Sequence, residues 1–142
     1  MSIVAFSTEF DSCPDGIRAI IEEVASESAT NAIWFIGSRA NDRGTPESDW
    51  DILVFGQDEV APVPARCAGL DVLRVDRSGN SLLEGMSERL IQPFARFGWV
   101  RSSKERASYS GQKFFKSEER EGKNQPVELV PCEAILLYEK TG

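Results

Sequence analysis

The sequence predicts a small α/β (α+β) domain: a mixed sheet with flanking helices and added strands towards the C-terminus. Three observations carry that expectation. Apolar runs rich in β-branched and aromatic residues recur at Ala32–Ile36, Asp49–Phe55 and Leu70–Val75, each of strand length. Ile17, Ile20, Ile21 and Val24 follow at i, i+3, i+4 and i+7, the single apolar stripe of an amphipathic helix. Beyond Trp99 the chain changes character, with strand-like runs at Gln112–Lys116 and Val127–Tyr138 around a charged turn. A chain of 142 residues is expected to form one domain, 1–142, with its core over about 1–98 and a strand extension over about 99–142.

Taken in order, Ile3 to Phe6 reads as a short edge strand or a packed tail. Ser12-x-x-Asp15 resembles a capping box, with Pro14 tolerated in a first helical turn. The polar face of the helix carries Glu22, Glu23 and Glu27, a solvated face or a partner surface. Asn41 to Ser48, with Gly44 and Pro46, is a loop, and the Pro-containing segment after Phe55 is an extended connector or a rim over a site. Ser81-x-x-Glu84 suggests a second capping box, and Leu82, Leu83, Met86, Leu90 and Ile91 a second helix ended by Pro93. Met86, Phe94 and Phe97 are expected in the core. Pro131 marks a bulge or an edge of the last strand.

The stretch from Ile33 to Phe55 holds the chemistry. A buried strand stops at Gly37-Ser38, and Arg39-Ala40 can begin a short helix behind it. Such a junction exposes backbone N–H groups and a hydroxyl that together can hold phosphate oxygens. Arg39 and Arg43 lie close by, as triphosphate contacts or as ordinary surface arginines. In the following strand Asp49 and Asp51 project from one face, about 7 Å apart along the chain. Two neighbouring carboxylates resist burial unless a cation joins them, and Mg²⁺ prefers such oxygens together with substrate phosphates. Phosphate cradle and carboxylate pair together indicate nucleoside triphosphate chemistry.

Composition narrows the field. With no histidine anywhere, serine–histidine triads and zinc–histidine sites are excluded. Cys13, Cys67 and Cys132 have no metal-ligand spacing and read as reduced thiols. The net charge of −7 argues against binding long nucleic acid. No leader or membrane-length apolar run is visible, so a cytoplasmic location away from membranes is expected. The charge is uneven: residues 101–123 hold seven Lys/Arg and four Asp/Glu, against nine and nineteen elsewhere. Within that basic stretch, Tyr109, Lys113, Phe114, Phe115 and Lys116 could stack a base and hold phosphate, or form an exposed hairpin with its aromatics turned inward.

Gly37-Ser38 followed at a distance by Asp49-x-Asp51, each on its own predicted strand, resembles the signature of the polymerase-beta-type nucleotidyltransferases. It looks most like the minimal nucleotidyltransferases, including the antitoxin partners of HEPN proteins. The resemblance covers Ile33 to about Asp76. It implies a nucleotidyltransferase-like fold, ATP as the NTP donor, and two Mg²⁺ ions, or Mn²⁺, bridged by Asp49 and Asp51. Gly37 and Ser38 would hold the β- and γ-phosphates that leave as pyrophosphate. The family's third acid opens a Val-Asp-Leu-Val type strand, which Leu70-Asp71-Val72-Leu73 matches. Asp71 is also followed on its own face by Leu73 and Val75, just as Asp51 is followed by Leu53 and Phe55. Asp71 is therefore expected to bind the acceptor-side metal, while Asp76, before Arg77-Ser78-Gly79-Asn80, reads as a turn residue.

The resemblance implies transfer of NMP, with AMP as the expected group, to a hydroxyl acceptor, and a HEPN-type partner protein in a toxin–antitoxin pair is the acceptor that asks least of the chain. A small-molecule or antibiotic nucleotidyltransferase would need a pocket completed by homodimerisation or by the C-terminal segment. A non-catalytic nucleotide-binding or structural subunit is the reading from a different class.

Overall fold

The computed structural model describes residues 8–41, 49–113 and 128–140. A 3-10 helix, Thr8–Ser12, leads into helix α1, Asp15–Ser26, and then strand β1, Thr30–Ile36, and the single-turn helix α2, Gly37–Ala40. Strands β2 (Trp50–Gly56), β3 (Leu70–Val75), β4 (Asn80–Leu83) and the two-residue β5 (Gln92–Pro93) follow. A 3-10 turn at Phe94–Phe97 precedes β6 (Val100–Arg101), β7 (Arg106–Lys113) and β8 (Glu128–Glu139). All eight strands form one sheet in the order β5-β4-β3-β2-β1-β8-β7-β6. Among the described strands only β2 and β3 run parallel; the other pairs are antiparallel. The class is mixed α+β, with fewer helices than the sequence suggested.

The two faces of the sheet are clad differently. Ile17, Ile21, Val24 and Ala25 of α1 are buried against Ile33, Phe35, Ile52, Val54, Val72, Ile135 and Leu137. Strand alternation sends Trp34, Leu53, Val75, Ala107 and Leu136 to the opposite face, where Phe55, Phe94, Trp99 and Tyr109 pack on them. β8 lies beside β1, so residues near the C-terminus supply both faces of the central core. From Glu128 to Ala134, β8 runs past the end of β1 and pairs with β7 alone, and Pro131 stands in that locally exposed edge. Asn41 caps the overhang: its side-chain amide donates to Glu133 O at 3.1 Å, and its oxygen accepts from Glu133 N at 2.7 Å.

Two expectations from helical spacing are corrected. α1 forms, but Pro14 is its N-cap and no side chain caps it; Ser12 closes the preceding 3-10 turn instead of a capping box. The second helix, expected from Leu82 to Ile91, does not form; within that span only a single 3-10 turn, Glu88–Leu90, is found. Asn80–Leu83 pairs with β3, whose backbone needs a partner on that side. Gly85, at φ 93°, ends the strand, and Met86 and Leu90 are exposed, so the apparent stripe is not a buried face and Met86 is no core residue. Ser81 is buried and donates from its hydroxyl to Gln92 O at 2.9 Å.

Glu84 is drawn inside, where it accepts hydrogen bonds from Arg66 (3.1 Å) and Arg74 (2.8 Å). Both arginines reach on to Glu27 at the end of α1, so the acidic helix face is partly tied down. The segment between β2 and β3 is a connector pinned along its length: Gln57 N to Ala29 O, Val60 N to the Asp76 carboxylate, and Val63 O to Gly85 N. With Arg66, Arg74 and Glu84 it walls a cavity of about 440 Å³ at the end of β2 away from Asp51. None of the three cysteines is in a disulfide. No helix among the described residues is long and apolar enough to cross a membrane. Arg43, Phe114, Phe115, Lys116 and the suggested edge strand at Ile3–Phe6 lie outside the described residues.

Candidate functional site

The site forms where β1 stops. Ile36, the last residue of β1, pairs with Asp51 of β2, and Asp51 pairs with Asp71 of the parallel neighbour β3. Both aspartates lie on the face opposite α1, in line with Leu53 and Phe55 on one strand and Leu73 and Val75 on the other. They are part-buried and joined by a side-chain hydrogen bond. Burial, reinforced by the charge and hydrogen bond of Asp71 and the charge of Asp49, pushes the Asp51 carboxyl up to about 7, and Arg39 opposes the shift.

Gly37 follows Ile36 directly and takes φ 82°, the left-handed region that favours glycine. The second reason for glycine is contact, since a Cβ there would collide with the Asp51 carboxylate. Gly37 opens α2, and its carbonyl accepts from the Asn41 amide at 2.8 Å. Ser38 is the second residue of this turn. Arg39 lays its guanidinium 4.5 Å from the centre of the Trp50 ring, which in turn stacks on Phe35 at 5.3 Å. Those contacts hold a positive charge close enough to act on Asp51.

The contacting acids are thus Asp51 and Asp71. Asp49 precedes β2, is exposed and acts on Asp51 through its charge. Asp76 is engaged elsewhere: buried, it accepts backbone N–H groups from Val60, Ser78 and Asn80 at 2.9–3.0 Å. Burial alone would raise its pKa, but those donors hold it below the ordinary value. It is the turn residue that its position before Arg77 suggests.

Among the described residues no three His, Cys, Asp or Glu side chains converge on a preformed cation position. The donor chemistry nonetheless fits a hard divalent cation. Two part-buried carboxylates that repel each other when ionised would be relieved by a metal between them, and the charge of exposed Asp49 already acts on Asp51.

One neighbour escaped the sequence. Tyr109, from the middle of β7, accepts the Gly37 N–H on its hydroxyl at 3.0 Å. Its aromatic character in a basic stretch was visible, but only the order β1-β8-β7 brings it beneath the turn.

A family model for the nucleotidyltransferase domain matches residues 17–140, from α1 through β8. The chain belongs to that nucleotidyltransferase family. The match fits the polymerase-beta-type superfamily and extends well past Asp76, so it takes in β7 and Tyr109. Neither the curated proteins nor the solved structures gave a match. Family membership supports transfer of a nucleotidyl group in general.

Proposed function

We propose that this nucleotidyltransferase moves an NMP group, AMP from ATP, onto a hydroxyl of a partner protein, with a HEPN-type protein as the candidate acceptor. The observation that carries the catalytic part is the Asp51–Asp71 pair beside the Gly37 turn. Asp49, Asp51 and Asp71 would hold Mg²⁺ or Mn²⁺, which supplies charge neutralisation for the triphosphate and lowers the pKa of the acceptor hydroxyl. The turn that Gly37 opens offers its backbone to the phosphates, and Arg39 adds a positive charge that acts on Asp51. Asp71, on the neighbouring strand, stands on the acceptor side and orients the hydroxyl that displaces pyrophosphate.

The acceptor follows from the resemblance of Gly37-Ser38 and Asp49-x-Asp51 to the minimal nucleotidyltransferases, among them the antitoxin partners of HEPN proteins. The exposed position of Asp49 favours a second reading, a nucleotide-binding subunit without turnover.

One experiment separates the two. The protein is incubated with α-labelled NTPs, Mg²⁺ and cell extract, with Asp51→Asn as the blank. Label appearing in a protein band with wild type alone supports the proposal. Nucleotide binding without labelling of any molecule supports the second reading, and label on a small molecule would overturn the protein acceptor.

A further inference from the structure

From the contact beneath the turn we infer that Tyr109 is a positioning residue for nucleotide binding: its hydroxyl fixes the Gly37 turn against the aspartates. The inference rests on the nucleotidyltransferase reading of the site. Gly37 sits where β1 gives way to α2, with its Cα against the Asp51 carboxylate and its N–H directed into the protein. A buried N–H without a partner is costly, and Tyr109 supplies the partner at 3.0 Å. The donor of Gly37 is therefore already engaged, so the phosphates must be met by the turn beyond it. What Tyr109 contributes is the orientation of that turn relative to Asp51.

The surroundings of Tyr109 are built to hold it there. Its ring stacks on Trp99 at 6.0 Å and 28°, and Trp99 is braced edge-on by Trp34 and Phe55. Two residues along β7, Gly111 leaves room for the arrangement. A Cβ at Gly111 would fall 2.7 Å from the Cys132 sulfur and 3.5 Å from the Tyr109 ring. The register of β7 and β8, with Tyr109 opposite Cys132, therefore requires this glycine beside the phenol. Burial pushes the Tyr109 hydroxyl up to about 12, so it stays neutral and adds no further negative charge beside Asp51 and Asp71.

The test is Tyr109→Phe, which keeps the ring and removes the hydroxyl that meets both the Gly37 N–H and the Cys132 thiol. Steady-state NMP transfer should show the NTP KM raised roughly tenfold, the scale of one lost hydrogen bond, with kcat within about threefold of wild type. Glu84→Gln serves as a control for general loss of stability, because its carboxylate is engaged by Arg66 and Arg74 and not by Gly37 or the aspartates of the site. An unchanged KM in Tyr109→Phe, or an equal rise in Glu84→Gln, overturns the inference while leaving the nucleotidyltransferase reading intact. A wild-type protein with neither NMP transfer nor NTP-dependent thermal stabilisation overturns both.

Discussion

Asp51 and Asp71 meet across the parallel pair β2–β3 and share a hydrogen bond, and burial with the charge of Asp71 pushes the Asp51 carboxyl up to about 7. Such a pair costs stability once ionised and gives it back when a cation replaces the proton.

Stability should therefore depend on pH in a defined direction. Asp51 binds its proton more tightly in the folded chain than at its ordinary value of 3.8. Between about pH 4 and pH 7 the unfolded chain has fewer protons on this group, so its contribution to stability falls as pH rises and then levels off. The difference in Tm between wild type and Asp51→Asn, followed across pH 4–8, should widen in favour of the variant. A constant difference would mean that the carboxyl is not perturbed.

Mg²⁺ or Mn²⁺ with a non-hydrolysable ATP analogue should raise the wild-type Tm by linkage, and Asp51→Asn should abolish the rise. The variant should be at least as stable as wild type without metal, because the repulsion is gone. Unfolding of Asp51→Asn would instead make the carboxylate a structural element.

Asp71 and Asp76 should separate cleanly. Asp71→Asn should lower NMP transfer by several orders of magnitude with NTP binding largely retained. Asp76→Asn puts an amide where backbone donors converge and should cost about 1–3 kcal/mol in a urea titration, with transfer within about tenfold of wild type. The reverse ranking in activity would move the acceptor-side role to Asp76.

Glu84→Gln should be among the more destabilising changes away from the site. Its carboxylate is 2% exposed and answers both Arg66 and Arg74. Removing its charge leaves two arginines, themselves about a quarter exposed, and should cost about 3 kcal/mol by chemical denaturation. A loss below about 1 kcal/mol would show that water takes over the pairing.

The strands that carry the site were legible because each is a local pattern. Ala32–Ile36, Asp51–Phe55 and Leu70–Val75 alternate or run apolar over strand lengths, and Asp51 and Asp71 occupy matching positions in theirs. Their direct pairing was implied by that match, though parallel registry is not written in either segment alone. The stretch from Leu82 to Ile91 was misread because leucines at helical spacing look alike whether or not they are buried. Here the need of β3 for a backbone partner outweighs the periodicity. Tyr109 was out of reach for a different reason: its contact with Gly37 spans 72 residues and depends on how β8 registers on β1.

The placement of β8 also governs how the protein can be assembled. Ala32 of β1 meets Glu139 of β8, so one flank of β1 remains bare until nearly the whole described chain has been synthesised. Contacts this distant in sequence slow folding, and a bare apolar edge invites pairing with the wrong strand in the meantime. Gly37 can therefore find Tyr109 only once β8 stands between β1 and β7, whereas the Asp51–Asp71 pairing of β2 and β3 does not wait for it.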